Sequence, residues 1–220
     1  MKYLLFDLDG TLTESGEGIM NSAEYAFRAM GREVPDRAQL RSFVGPPLAE
    51  SFPRFGIDKS ETDEAIRQFR VYFTDKGWKE DKPYPGIEKL CRELYEKGYK
   101  LIVATSKLEA MAVRIIEYFG LKEYFLDVIG SIDKERASKA DVINYAIKKY
   151  SIEINTDAWN TLTEDGAIMI GDRCYDVEGA GECGLKCVGV TYGYGTRAEL
   201  TEAGAIAVVD TVEELGEFFA

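Results

Sequence analysis

The chain has 220 residues, 45% of them apolar and 30% charged, with a formal charge of −12 and no histidine. That size allows one large domain or a core with a smaller lobe, and the acidic balance speaks against a nucleic-acid or anionic-membrane surface. The missing histidine excludes Ser-His and Cys-His catalysis and the usual zinc site, and no stretch approaches the ~20 apolar residues of a membrane span.

Tyr3-Leu4-Leu5-Phe6 is an unbroken apolar run, which predicts a strand buried on both faces of a parallel sheet. It leads directly into Asp7-Leu8-Asp9-Gly10-Thr11. Residues two apart on a strand share a face, so the Asp7 and Asp9 Cβ atoms are expected about 6–7 Å apart. Like charges that close repel. A divalent cation relieves the repulsion, and carboxylate oxygens suit magnesium. Gly10-Thr11 lets the chain turn and offers an amide and a hydroxyl to an anion. Asp7 also cuts the apolar start short, so no signal peptide is expected.

No strand-like run follows until after residue 78. Ile19, Ala23, Ala26, Phe27 and Met30 keep helical spacing up to Gly31, a stop signal. Val44-Gly45-Pro46-Pro47 reads as a turn, with Pro47 starting a helix through Leu48, Phe52 and Phe55 up to Gly56. Ser60 with Asp63 is expected to cap a third helix carrying Ile66, Phe69, Tyr72 and Phe73. Most βα connections span about 4–6 residues, so residues 15–85 read as an inserted helical lobe on a core of residues 1–14 and 86–220. Its tethers, residues 14–18 and 77–86, are polar and rich in Gly or Pro, as hinges are. The lobe is expected to be a lid over the first strand's aspartates.

From residue 86 helices alternate with apolar strands at 101–104, 128–129, 167–170 and 187–190, and a weaker strand at 207–209. This predicts an α/β fold, a Rossmann-like doubly wound parallel sheet. Residues 155–166 read as a surface loop with no role. The spacing of Cys91, Cys174, Cys183 and Cys187 matches no metal site, which points to reduced cysteines and a cytoplasmic location.

Four polar clusters follow strand ends, where open α/β sheets bind ligands. They are Asp7-x-Asp9-Gly10-Thr11, then Thr105-Ser106-Lys107, then Lys139 with Lys134 and Arg136 before it, and Gly171-Asp172-Arg173-Cys174-Tyr175-Asp176. Thr105-Ser106 is expected to open a helix, where unpaired N–H groups and the dipole favour an anion. Any one cluster has an ordinary structural explanation; the ordered set does not.

That set resembles the haloacid dehalogenase-like hydrolase superfamily over essentially the whole chain. Val44-Gly45-Pro46-Pro47-Leu48 and Gly189-Val190-Thr191-Tyr192-Gly193-Tyr194-Gly195 resemble its phosphoglycolate phosphatase-like members, and the insertion resembles their small helical cap. The resemblance implies that Asp7 is a nucleophile forming an aspartyl-phosphate, and that Asp9 is the general acid and then the base. It also implies magnesium held by Asp7, the Asp9 carbonyl and Asp172, with Asp176 orienting a metal-bound water or Lys139. Lys139 would neutralise the phosphoryl oxygens, and Thr105 and the Ser106 amide would hold them. The implied partner is a small phosphorylated metabolite, with a monomer as the default. Lys139 is followed by Ala140-Asp141 where the family usually has Pro, so Lys134 or Arg136 is a candidate to share its role. Arg41, Arg54 and the turn at 43–48 are candidates for substrate selection. The other readings are a phosphosugar mutase on the same scaffold, a receiver-like phosphate-binding module, and an acid/base hydrolase using Asp7 and Asp9.

Overall fold

Leu4, Leu5 and Phe6 have no exposed surface, and burying each contributes about 1.5–3 kcal/mol. They form β1 (Lys2–Phe6). The computed structural model describes residues 2–132, 135–154 and 166–220. Lys134 and nearly all of the expected 155–166 loop lie outside these residues. The chain divides into two units, Met1–Leu12 with Pro83–Ala220, and Thr13–Lys82.

The smaller unit opens with the two-residue strand β2 (Thr13–Glu14) and holds four helices: α1 (Gly16–Ala29), α2 (Arg37–Leu40), α3 (Leu48–Arg54) and α4 (Thr62–Asp75). Phe27, Phe43 and Phe52 meet at its centre, with ring centroids 5.0–6.1 Å apart. A capping box between Asp36 and Gln39 starts α2. Ser60 does not cap α4. Residues 58–61 make a turn in which Glu61 N–H donates to the Asp58 carbonyl, and the helix starts one residue later. The unit closes at β3 (Lys82–Pro83).

In the larger unit α5 (Ile87–Glu96), β4 (Lys100–Leu108), α6 (Glu109–Tyr118), β5 (Phe125–Ser131), α7 (Lys139–Tyr150), β6 (Gly166–Gly171), α8 (Cys174–Glu182), β7 (Lys186–Val190), α9 (Arg197–Ala203), β8 (Ala207–Val209) and α10 (Val212–Phe218) alternate. The six-stranded sheet runs β5-β4-β1-β6-β7-β8, all parallel. Phe6 stands in register with Val103 on one side and Ile170 on the other. The chain winds outward from β1 in both directions, so the order reverses there and opens a crevice at the carboxyl end of β1. Among the described residues no helix is long and apolar enough to cross a membrane.

One expectation fails beside that crevice. Thr105-Ser106-Lys107 does not open a helix: β4 continues through it to Leu108, and α6 begins at Glu109. The register of β4 against β5 slips between Ala104 and Leu108, so the strand reaches past its regular ladder by an irregular tail.

Candidate active site

Asp7 directly follows β1, and its N–H donates to the Ile170 carbonyl at 2.9 Å, extending the ladder by one residue. Gly10 then turns the chain at φ +89°, where a side chain would overlap the Asp172 carboxylate. Asp172 follows β6, and Asp176 lies in the first turn of α8, its Oδ2 accepting from Arg173 N–H at 3.1 Å. Carboxylate oxygens of Asp7, Asp172 and Asp176 all lie within 4.8 Å of one another.

Lys139 is the first residue of α7. Ser138 caps that helix reciprocally with Asp141, so Asp141 does by hydrogen bonding what proline does by its fixed φ. From there the buried ammonium reaches Asp7 Oδ1 and Asp176 Oδ1, both at 2.7 Å, and donates to the Ala104 carbonyl at 3.1 Å. The ammonium thus holds two ion pairs and one hydrogen bond. Burial works against the Lys139 charge, but Asp176 and Asp7 outweigh it and hold its pKa above the ordinary lysine value.

Three carboxylates against one ammonium leave the cluster short of positive charge. Burial, and then Asp176 and Asp7, hold the Asp172 carboxyl well above the usual range. Burial lifts Asp176 to about 6, Lys139 opposing and Asp7 adding to the rise. Asp172 Oδ2 accepts from Tyr194 N–H at 2.8 Å, while Oδ1 is buried without a hydrogen-bond partner. An orphaned buried carboxylate oxygen beside two more carboxylates fits a hard divalent cation such as magnesium.

Asp9 stands apart from this set. Its oxygens take Lys107 Nζ at 2.9 and 2.8 Å. Thr105 is buried, and its Oγ1 accepts from Lys107 N–H at 3.3 Å; Ser106 is exposed. Thr11 is fully buried; its N–H donates to the Leu8 carbonyl at 3.3 Å, its carbonyl accepts from Tyr192 OH at 3.1 Å, and its Oγ1 has no hydrogen-bond partner. Arg136 pairs with Glu109 at 2.7 Å and lies 4.2 Å from the centre of the Tyr145 ring. Cys174 donates its N–H to Glu199 at 2.9 Å, and all four cysteines are free.

Two contributors come from stretches that the sequence marks without assigning them these contacts. Lys107 belongs to the cluster at the end of β4, but nothing in its spacing announces Asp9 as its partner. The loop after β7 supplies the Tyr194 N–H, and Cβ atoms on Gly193 or Gly195 would overlap Gly10 or Asp172 backbone. Alternate glycines just past a strand are the signal of such a close approach.

The profile describing haloacid dehalogenase-like hydrolases matches residues 4–190. A 5'-nucleotidase of Pseudomonas aeruginosa is 36% identical over 199 residues, 90% of this chain and 86% of that protein. The tyrosine-protein kinase PtkA of Mycobacterium tuberculosis is 37% identical over 218 residues, 97% of this chain and 71% of its own length. The crystal structure of a predicted phosphatase from Clostridium acetobutylicum superposes with a TM-score of 0.89 at 44% identity, covering 98% of this chain and 96% of that one.

Proposed function

The chain belongs to the haloacid dehalogenase-like hydrolase family, and from that membership we propose that it is a magnesium-dependent phosphatase of small phosphomonoesters acting through an aspartyl-phosphate on Asp7. The observation that carries this reading is the Asp7 carboxylate at the end of β1, ion-paired to Lys139 and grouped with Asp172 and Asp176, while Asp9 is held separately.

An Asp7 oxygen attacks phosphorus, and its bond to phosphorus forms as the ester P–O bond breaks. The electron pair leaves with the ester oxygen, which takes the Asp9 proton. Asp9, now a carboxylate, removes a proton from water as that water attacks phosphorus, and the Asp7–phosphorus bond breaks to restore the acid. Lys139 places fixed positive charge beside the nucleophile, where charge on the phosphoryl oxygens must be offset. The Thr105 hydroxyl and the Ser106 amide complete the phosphoryl cradle. Asp7, Asp172 and the Asp9 carbonyl would hold magnesium, which when bound neutralises charge on the phosphoryl oxygens; Asp176 keeps Lys139 aimed at Asp7.

The nucleotidase and phosphoglycolate phosphatase names among the relatives support a nucleoside monophosphate or a phosphoglycolate-like acid as substrate, and a sugar phosphate is a third ester of the same class. The unit from Thr13 to Lys82 is the proposed selector. The test is phosphate release from a panel of such esters, ranked by kcat/KM with magnesium and with EDTA. Asp7→Asn is expected to lose at least about 10³-fold. Activity that survives in EDTA, or in Asp7→Asn, refutes the mechanism. The kinase name of the mycobacterial relative makes a tyrosine peptide a useful addition, since a tyrosine hydroxyl in place of water would receive the phosphoryl group.

A further inference from the structure

Asp9, near the end of β1, lies outside the Asp7–Asp172–Asp176 set, and Lys107 is what holds it. Nζ lies 2.8–2.9 Å from both Asp9 oxygens, and the two side chains are only 9% and 18% exposed. A cation on both oxygens fixes where the carboxylate lies as well as its distance. The residues around Lys107 are braced. Its N–H donates to Thr105 Oγ1, and its carbonyl packs so closely on Gly130 that a Cβ there would overlap it. Two residues on, Glu109 pairs with the buried Arg136 and accepts from Gly130 N–H at 3.3 Å. The irregular tail of β4 is therefore a stiff arm that carries Lys107 to the end of β1.

We propose that Lys107 is a positioning residue for proton transfer: it holds the Asp9 carboxyl toward the leaving-group oxygen and away from the three grouped carboxylates. This rests on the phosphatase reading above. In the first step the ester P–O bond breaks and the departing oxygen takes the Asp9 proton, so a displaced Asp9 harms esters of basic alcohols most. The second-order constant kcat/KM reports only steps up to that cleavage, whichever later step limits turnover.

The experiment compares an alkyl phosphate, whose alkoxide needs a proton, with p-nitrophenyl phosphate, whose phenolate does not. For Lys107→Met, kcat/KM is expected to fall about 10²-fold on the alkyl ester and no more than about threefold on the aryl ester. Lys107→Arg should restore the ratio, and Lys107→Met placed on Asp9→Asn should add little, since both changes remove one function. A parallel loss on both esters overturns the proposal, as does a rise in KM alone, which would make Lys107 a phosphate ligand. If Lys107→Met melts far below the wild type, Lys107→Gln and Lys107→Arg across a series of leaving groups decide by the same ratio. Wild-type protein that hydrolyses neither ester overturns the phosphatase reading itself, whereas an active wild type with leaving-group-independent losses overturns only the part given to Lys107.

Discussion

Asp172→Asn removes one charge from the buried carboxylates while keeping the side chain's shape and an oxygen for the Tyr194 N–H. Without metal the variant should be more stable than the wild type near neutral pH. A carboxyl whose pKa is raised by folding carries a penalty that is absent below its unfolded pKa, grows as pH rises through the interval, and is complete above the folded pKa. For Asp176 the interval runs from 3.8 to about 6, which corresponds to about 3 kcal/mol. Asp172, raised by burial and then by Asp176 and Asp7, adds a penalty of the same sign. Deleting the Asp172 charge removes its own penalty and relieves part of that on Asp176. The expected gain is about 1–3 kcal/mol, or about 2–12 °C in Tm for a chain of this length. Thermal melts in EDTA measure it. As pH falls below the raised pKa of Asp176 the wild-type carboxyl takes up its proton, and the gap should narrow. Added magnesium should raise the wild-type Tm and leave the variant nearly unmoved. A variant that melts below the wild type in EDTA at neutral pH, or a gap that widens on acidification, would refute the charge argument.

Lys139→Met strips the cluster of the cation that Asp7 and Asp176 share, and leaving buried charge uncompensated costs about 3–5 kcal/mol. Urea denaturation in EDTA should show a clearly lower midpoint, and an unchanged one would mean that the pair is not balanced as described. Gly195→Ala places a methyl group where the Asp172 carbonyl sits, an overpacking that costs about 1–3 kcal/mol. Magnesium should also raise the Tm of this variant less than that of the wild type; an equal rise would show that the loop after β7 gives way without moving Asp172.

Continuous apolar runs made the sheet legible. Leu4-Leu5-Phe6 and Ala167-Ile168-Met169-Ile170 are buried on both faces, and such strands announce themselves without alternation. Asp7, Asp172 and Lys139 were legible because each follows a strand or opens a helix, where chain order alone sends them to one end of the sheet. The backbone of Thr105-Ser106-Lys107 was not: it has neither the period of a helix nor that of a strand, and its register slips against β5, where the Lys107 carbonyl packs closely on Gly130. Lys107 and Asp9 are 98 positions apart, so no local pattern links them.

Charge balance ties the cluster to its substrate. Asp7, Asp9, Asp172 and Asp176 face Lys139 and Lys107, so four acids against two cations leave two negative charges when all are ionised, in a chain whose formal charge is −12. Both ammonium groups are already engaged by carboxylates, and a phosphate monoester arriving at such a site meets repulsion before it meets a partner. A divalent cation cancels that excess, so the same charge that leaves Asp172 Oδ1 unpartnered would also govern whether an anionic ester is tolerated at all.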